Sequence, residues 1–196
     1  MWSSEVTNMI ITGIWETLYM TLVSTLVGYV IGLPMGIILT VSDKDGIKPN
    51  AVLYKILDVI ANIVRSVPFI ILLVLLIPFT RLVVGKSYGS TATIVPLVIA
   101  AAPYIARMVE SSLKEVDAGV IEAARSMGAS NFTIITKVML VEARTSLLVG
   151  ATITLGTILG YSAMSGAVGG GGLGAIAIRY GCLLYTSPSP RDTERS

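Results

Sequence analysis

The residues whose types and spacing invite a chemical reading lie between two long apolar runs. The stretch Ile121-Glu122-Ala123-Ala124-Arg125-Ser126-Met127-Gly128-Ala129-Ser130 mixes polar and apolar side chains and continues to Val141. From its spacing alone it reads as an ordinary amphipathic loop between two spans, and it holds no reacting group. Catalysis is excluded on wider grounds. The chain has no histidine, which removes Ser-His and Cys-His nucleophile pairs, histidine metal sites and the H-E-x-x-H protease pattern. One cysteine, Cys182, excludes an internal disulfide. Gly169, Gly171 and Gly174 formally match G-x-G-x-x-G, but they follow a membrane span and lack the βαβ unit that a nucleotide fingerprint needs. A flexible external turn is expected there. No P-loop is present, and no cluster of intramembrane carboxylates suggests a proton relay.

A second set of candidates borders the apolar runs. Glu16, Asp58, Arg65, Glu110 and Glu142 lie at or near span ends, where snorkelling accounts for most of them. Arg65 is the deepest. Ser66-Val67-Pro68 follows it, and the proline disfavours helix at Val67. A break and a continuous helix are both open at this point, and Arg65 either caps the preceding segment or lines a polar cleft. Tyr161, Ser162, Met164 and Ser165 bring polar and polarizable groups to the deep end of the last apolar run. Packing and pore lining both fit them. Together with Arg65 they are the candidates for a pathway or gate.

The elements that must hold these residues are membrane helices. The chain is 54% hydrophobic and 13% charged, with a mean hydropathy of +0.81. That is no ordinary soluble domain. Charge-free runs cover residues 17–42, 66–80, 87–106 and 145–178. A span needs about 20 apolar residues, and the second run reaches that length only by extending back past Arg65. Four spans are expected, at about 14–41, 58–80, 88–110 and 143–169. Gly28, Gly32 and Gly36 form overlapping small-residue motifs for tight helix packing, and Pro34 is expected to kink that helix. Gly156 with Gly160, and Gly166 with Gly170, repeat the device in the last span. Between the last two spans, Asp117 can cap a short helix that Gly128 ends in the left-handed conformation. Ser130 can cap a second helix with Phe132, Ile135 and Met139 on one face.

Charge placement orients the whole. The loop after the first span and the region from Arg107 to Arg144 hold eight Lys and Arg residues, against two between the second and third spans. The positive-inside rule puts the Glu122 stretch in the cytoplasm and the N-terminus, residues 1–13, outside. The N-terminus has no basic residue, so an uncleaved first span is expected rather than a signal peptide. A net charge of +2 is too small to imply a nucleic-acid partner. The surrounding partner is membrane lipid.

Glu122-Ala123-Ala124, three residues, then Gly128 resembles the EAA signature of permease subunits of ABC importers. The family pattern continues with Ile-x-Leu-Pro, where this chain has Val138-Met139-Leu140-Val141 and lacks the proline. Segments 65–73, 77–81, 102–110 and 160–169 are similar to the methionine-uptake members, and the likeness covers about 14–180. The resemblance implies an all-α polytopic fold, the ABC importer type I transmembrane domain. Segment 117–141 would be its cytoplasmic coupling-helix loop, with Glu122, Ala123, Ala124 and Gly128 coupling it to an ATPase. It also implies a homodimer with a second permease copy, two cytoplasmic ATPase subunits carrying ATP and Mg, and an external substrate-binding lipoprotein. The chain itself would hold no cofactor and no metal, and would be no enzyme. Its task would be ATP-driven uptake of L- and D-methionine across a bacterial inner membrane by alternating access. The alternative from another class is a passive channel or scaffold without ATPase coupling.

From Cys182 the composition turns polar and proline-bearing, where the family continues into a fifth span. Four spans of an expected five are present. Residues 181–196 are expected to be a non-native, disordered tail that leaves a truncated permease.

Overall fold

The computed structural model describes residues 4–183, and these form helices joined by short turns. In chain order they are α1 (Ser4–Ser42), α2 (Ala51–Ser66), α3 (Phe69–Leu75), α4 (Ile77–Val84), α5 (Ser90–Lys114) and α6 (Ala118–Ser126). Then come α7 (Asn131–Thr133), α8 (Leu140–Glu142), α9 (Arg144–Ser165) and α10 (Gly172–Ala177). Wider π-helical turns occupy Ile134–Met139 and Ile178–Leu183, and a tighter turn occupies Gly166–Val168. The expected tail lies outside the described residues from position 184 onward, and 181–183 continue the last helical stretch.

The first helix begins at Ser4, so most of the segment expected as an external N-terminus is its opening turns. Its 39 residues extend about 58 Å at about 1.5 Å per residue, well beyond a hydrocarbon layer of about 30 Å. The helix continues through Pro34 without a break. Its buried stripe is small and polar: Gly13, Thr17, Thr21, Ser24, Thr25, Gly28, Gly32, Gly36 and Thr40 share it with Met20 and Leu39. Thr17, Thr25 and Thr40 satisfy their hydroxyls by donating to the carbonyls four residues back. Large apolar side chains such as Leu22, Leu26 and Val30 point outward. In lipid that inversion carries no penalty, because helix association depends on close packing rather than on hiding apolar surface.

The small stripe fits against α5, the most buried of the long helices. A Cβ at Gly32 would stand 2.7 Å from the Ala102 carbonyl oxygen, and one at Gly36 would stand 2.6 Å from that of Ala106. Backbone cannot yield to such contacts, so the glycines set the distance between α1 and α5. In α9 the expected repeat of this device holds only in part. Gly166 and Gly170 are hemmed in, but Gly156 and Gly160 have nothing within 4 Å of an added Cβ. Their face of α9 is uncovered by the described chain.

The second expected span is broken. Val67 and Pro68 are extended (ψ 124° and 134°), as a residue before proline prefers, and α3 leaves α2 at 101°. Among the described residues, three helices are long and apolar enough to cross a membrane, or four if the bent α2–α3 pair counts as one. The glycine run that was expected to be a flexible turn is instead stitched down. Glu16 Oε2 accepts from the Gly172 amide (2.6 Å), Thr17 Oγ1 accepts from that of Leu173 (2.9 Å), and the Gly89 amide donates to Gly169 (2.9 Å). Its left-handed glycines bring bare amides to α1, where a side chain would intervene.

Candidate functional site

The segment around Glu122 forms as a capped helix and turn. Asp117 Oδ1 accepts from the Gly119 amide at 2.7 Å and opens α6. At the other end the Ala129 amide donates to Ala124 (3.1 Å) and that of Gly128 to Arg125 (3.0 Å), with Gly128 at φ 80°. This is the paired closure of a Schellman motif, in which the left-handed residue must be glycine or nearly so. Ala124 therefore contributes both an acceptor carbonyl and a buried methyl, while Glu122 and Ala123 lie exposed. Ser130 caps the next helix by accepting from the Thr133 amide (3.2 Å). There the expected shared face fails. Phe132 is 75% exposed, whereas Ile134 and Met139 are buried, five residues apart as π-helical winding requires. Met127 and Phe132 stand out as bare apolar groups on the same segment as Glu122.

This segment leans on the loop between α1 and α2. Arg125 Nη2 donates to the Ile47 carbonyl at 3.1 Å. Between them lies a cavity of about 700 Å³, lined among others by Thr40, Asp43, Leu113, Lys114, Ile121 and Glu122. It can receive part of another chain or a water-filled charge cluster.

The pathway candidates divide. Arg65 and Tyr161 come together at the break after α2, in a cleft of about 150 Å³ shared with Phe69, Leu72, Ala100 and Tyr104. The Arg65 guanidinium lies 5.8 Å from the centroid of the Tyr104 ring, and Phe69 stacks on Tyr161 at 4.6 Å. Ser162 and Ser165 are buried and donate within their own helix, to Leu159 (2.8 Å) and Ser162 (2.6 Å). Ser165 faces the glycine run, against Gly170. Met164 points the other way and is half exposed.

A charged ladder joins α2 to α5, with α1 at its foot. Lys114 pairs with Asp43 (2.7 Å) and Glu110 (2.8 Å), Arg107 pairs with Glu110 (2.7 Å) and Asp58, and Tyr54 donates to Glu110 (3.2 Å). Glu110 is the hub, 4% exposed and held by three donors. The Lys114 ammonium holds the Asp43 carboxyl below the usual carboxylate range.

Residues 28–180 match the family described as the binding-protein-dependent transport system inner membrane component. The chain belongs to that family. Among its relatives in this transport family, it is 49% identical to a probable D-methionine transport system permease protein of Vibrio cholerae, over 94% of this chain and 82% of that one. The D-methionine permease of Escherichia coli K12 is 55% identical over 81% of this chain and 73% of its own. The solved inward-facing MetNI methionine ABC transporter matches with a TM-score of 0.92 and 53% identity, over 95% of this chain and 86% of that chain. An amino acid ABC transporter, at 24% identity and a TM-score of 0.73, shares the fold.

In this binding-protein-dependent permease the charged ladder is the feature that sequence reading misses. Glu110 sits three residues after Arg107 and four before Lys114, the spacing of neighbours on one helix face. That half of the signal is visible in the sequence. Asp43 comes from the loop after α1 and Tyr54 and Asp58 from α2, and read alone they give no sign of a shared cluster.

Proposed function

We propose that this chain is the permease subunit of an ATP-driven importer of methionine, D isomer included, and that it works by alternating access. The observation that carries the reading is the likeness to the solved MetNI transporter along 95% of the chain at 53% identity. The permease names of the curated relatives favour it over a passive channel. On this reading two copies form the pathway, four spans of each are represented here, and two ATPase subunits dock beneath them. An external binding lipoprotein delivers the substrate.

The eight-to-two bias of Lys and Arg supports a cytoplasmic position for α6. There Glu122, Ala123, Met127 and Phe132 offer the ATPase a charge, a flat approach and two apolar knobs. ATP with Mg on the partner supplies the closing motion. The response of this chain follows from its own bonds. Displacement of α6 pulls α5 directly through the short link 115–117, and pulls the α1–α2 loop through Arg125 and Ile47. The ladder then carries it to α2. Ser165 holds α9 against the glycine run by accepting from the Gly170 amide, while Met164 and the break at Arg65 face the changing space.

Co-expression with an ATPase subunit and binding protein, followed by reconstitution into vesicles, tests this. ATP-dependent accumulation of labelled methionine is expected. Methionine flux that is equally fast without ATP or without the ATPase subunit would establish the passive channel instead.

A further inference from the structure

Helices α2 and α5 run past each other so that successive turns meet in order. Tyr54 faces Glu110, Asp58 and Asn62 face Arg107, and Arg65 faces Tyr104. Each cation lower in this ladder has a carboxylate, since Arg107 holds Asp58 and Glu110 while Lys114 holds Asp43 and Glu110. Arg65 has none. Among the described residues its guanidinium makes a contact with the Tyr104 ring but no hydrogen bond and no ion pair.

Tyr104 lies about 21 Å from the Ser90 end of α5 and about 15 Å from the Lys114 end, at about 1.5 Å per residue. Arg65 is exposed within the described chain, one turn along α5 from the Arg107–Asp58 pair and inside the bent α2–α3 span, where an ionisable group persists beside water, a partner or a passing substrate. The broken backbone at Val67 and Pro68 satisfies the same condition, because irregular chain at this depth must line a cavity or be covered by protein. The cleft of about 150 Å³ that opens there suits a small polar head group, and stacked Phe69 and Tyr161 form an apolar aromatic wall beside it.

We propose that Arg65, at the break between α2 and α3, receives the carboxylate of the transported amino acid as it crosses. A guanidinium presents a planar fork of donors that fits a carboxylate in two parallel hydrogen bonds, and the substrate supplies the anion that the top of the ladder lacks. The aromatic wall takes the side chain, and a thioether makes favourable contacts with aromatic rings. This assignment rests on the importer reading above.

The test uses the complete complex of permease, ATPase and binding protein in vesicles. Wild-type vesicles that accumulate no methionine would overturn the importer reading itself. Given wild-type uptake, Arg65→Gln should lower it at least about tenfold, the lower end for a hydrogen bond to a charged group. Arg65→Lys, which keeps the charge without the fork, should fall between. Wild-type uptake by the Gln variant overturns the assignment, and so does equal loss in both variants together with loss of assembled complex. A second measurement leaves Arg65 intact. In a Cys182→Ser background, Val67→Cys is labelled with a maleimide. Methionine should slow that labelling at least severalfold and methioninamide, which lacks the carboxylate, should not. Equal protection by the two compounds, or by neither, overturns the assignment.

Discussion

Replacing Gly128 by valine loads strain onto one turn and nothing else. An added Cβ at this position meets no atom within 4 Å, so the substitution makes no clash. What it meets is the backbone itself, held at φ 80° by two closing hydrogen bonds from Gly128 and Ala129. A left-handed residue other than glycine costs roughly 1–2 kcal/mol, and a β-branched one more, while asparagine is tolerated best. If the turn gives way, the two bonds to Arg125 and Ala124 open and α6 loses its defined end. A shift of 1–2 kcal/mol moves a two-state population roughly 5- to 30-fold. Substrate-stimulated ATP hydrolysis by the reconstituted complex should therefore fall by about that factor in Gly128→Val. Gly128→Ala should fall less, and Gly128→Asn should stay closest to wild type. The order is the diagnostic. A Val variant that couples like wild type at equal expression would remove this turn from the mechanism, and an Asn variant worse than Val would refute the backbone account.

Other outcomes follow from the same geometry. Gly36→Ala should destabilise the permease by about 1–3 kcal/mol, because its Cβ would press on the Ala106 carbonyl, and a thermal midpoint in detergent reads this directly. Gly160→Ala should leave the midpoint unchanged, and a comparable loss there would show that another chain covers that face. Glu110→Ala strips the hub from Arg107 and Lys114 and should cost about 3–5 kcal/mol, visible as lost yield and a lowered midpoint. Unchanged stability would reduce the ladder to a surface decoration. Because Asp43 is depressed in the folded chain, its contribution is fully present above its unfolded value near 3.8 and is lost only as pH falls through the lower folded value. Stability attributable to Asp43 should thus be flat from pH 7 to 5, and Asp43→Asn should blunt only the loss below about pH 4; a difference between the two proteins in slope near neutrality would contradict this. Met164→Trp should block uptake while the dimer still assembles, and Met164→Leu, nearly equal in volume, should be mild. Full uptake by the Trp variant would make Met164 a packing residue.

Local signals were legible in the amino-acid sequence, and those that depend on distant partners were not. Asp117, Gly128 and Ser130 shape the turns next to themselves, so their types alone define the segment around Glu122. Pro68 likewise announces a possible break, though not the 101° it produces. Spacing misplaces Phe132 because it assumes 3.6 residues per turn, and the winding from Ile134 to Met139 is wider. The glycine run reads as loose because its acceptors, Glu16 and Thr17, belong to the first helix. Gly156 and Gly160 look the same as Gly166 and Gly170 on paper, yet only the second pair meets a neighbour among the described residues. Spacing reports that a helix face is smooth, and says nothing of whether anything lies on it.

The stitch between Glu16 and the Gly172 amide joins positions 156 residues apart. A ribosome adds roughly 5–20 residues per second, so roughly 8–30 s separate the emergence of the two. Throughout that interval the first helix sits in the bilayer with its acidic acceptor lacking these donors. The seam with α5 can form about 65 residues earlier, once Ile105 and Val109 reach Gly32 and Gly36. Assembly therefore has a built-in sequence in time. The deep seam closes first, and the outer knot is tied only when the last glycines arrive.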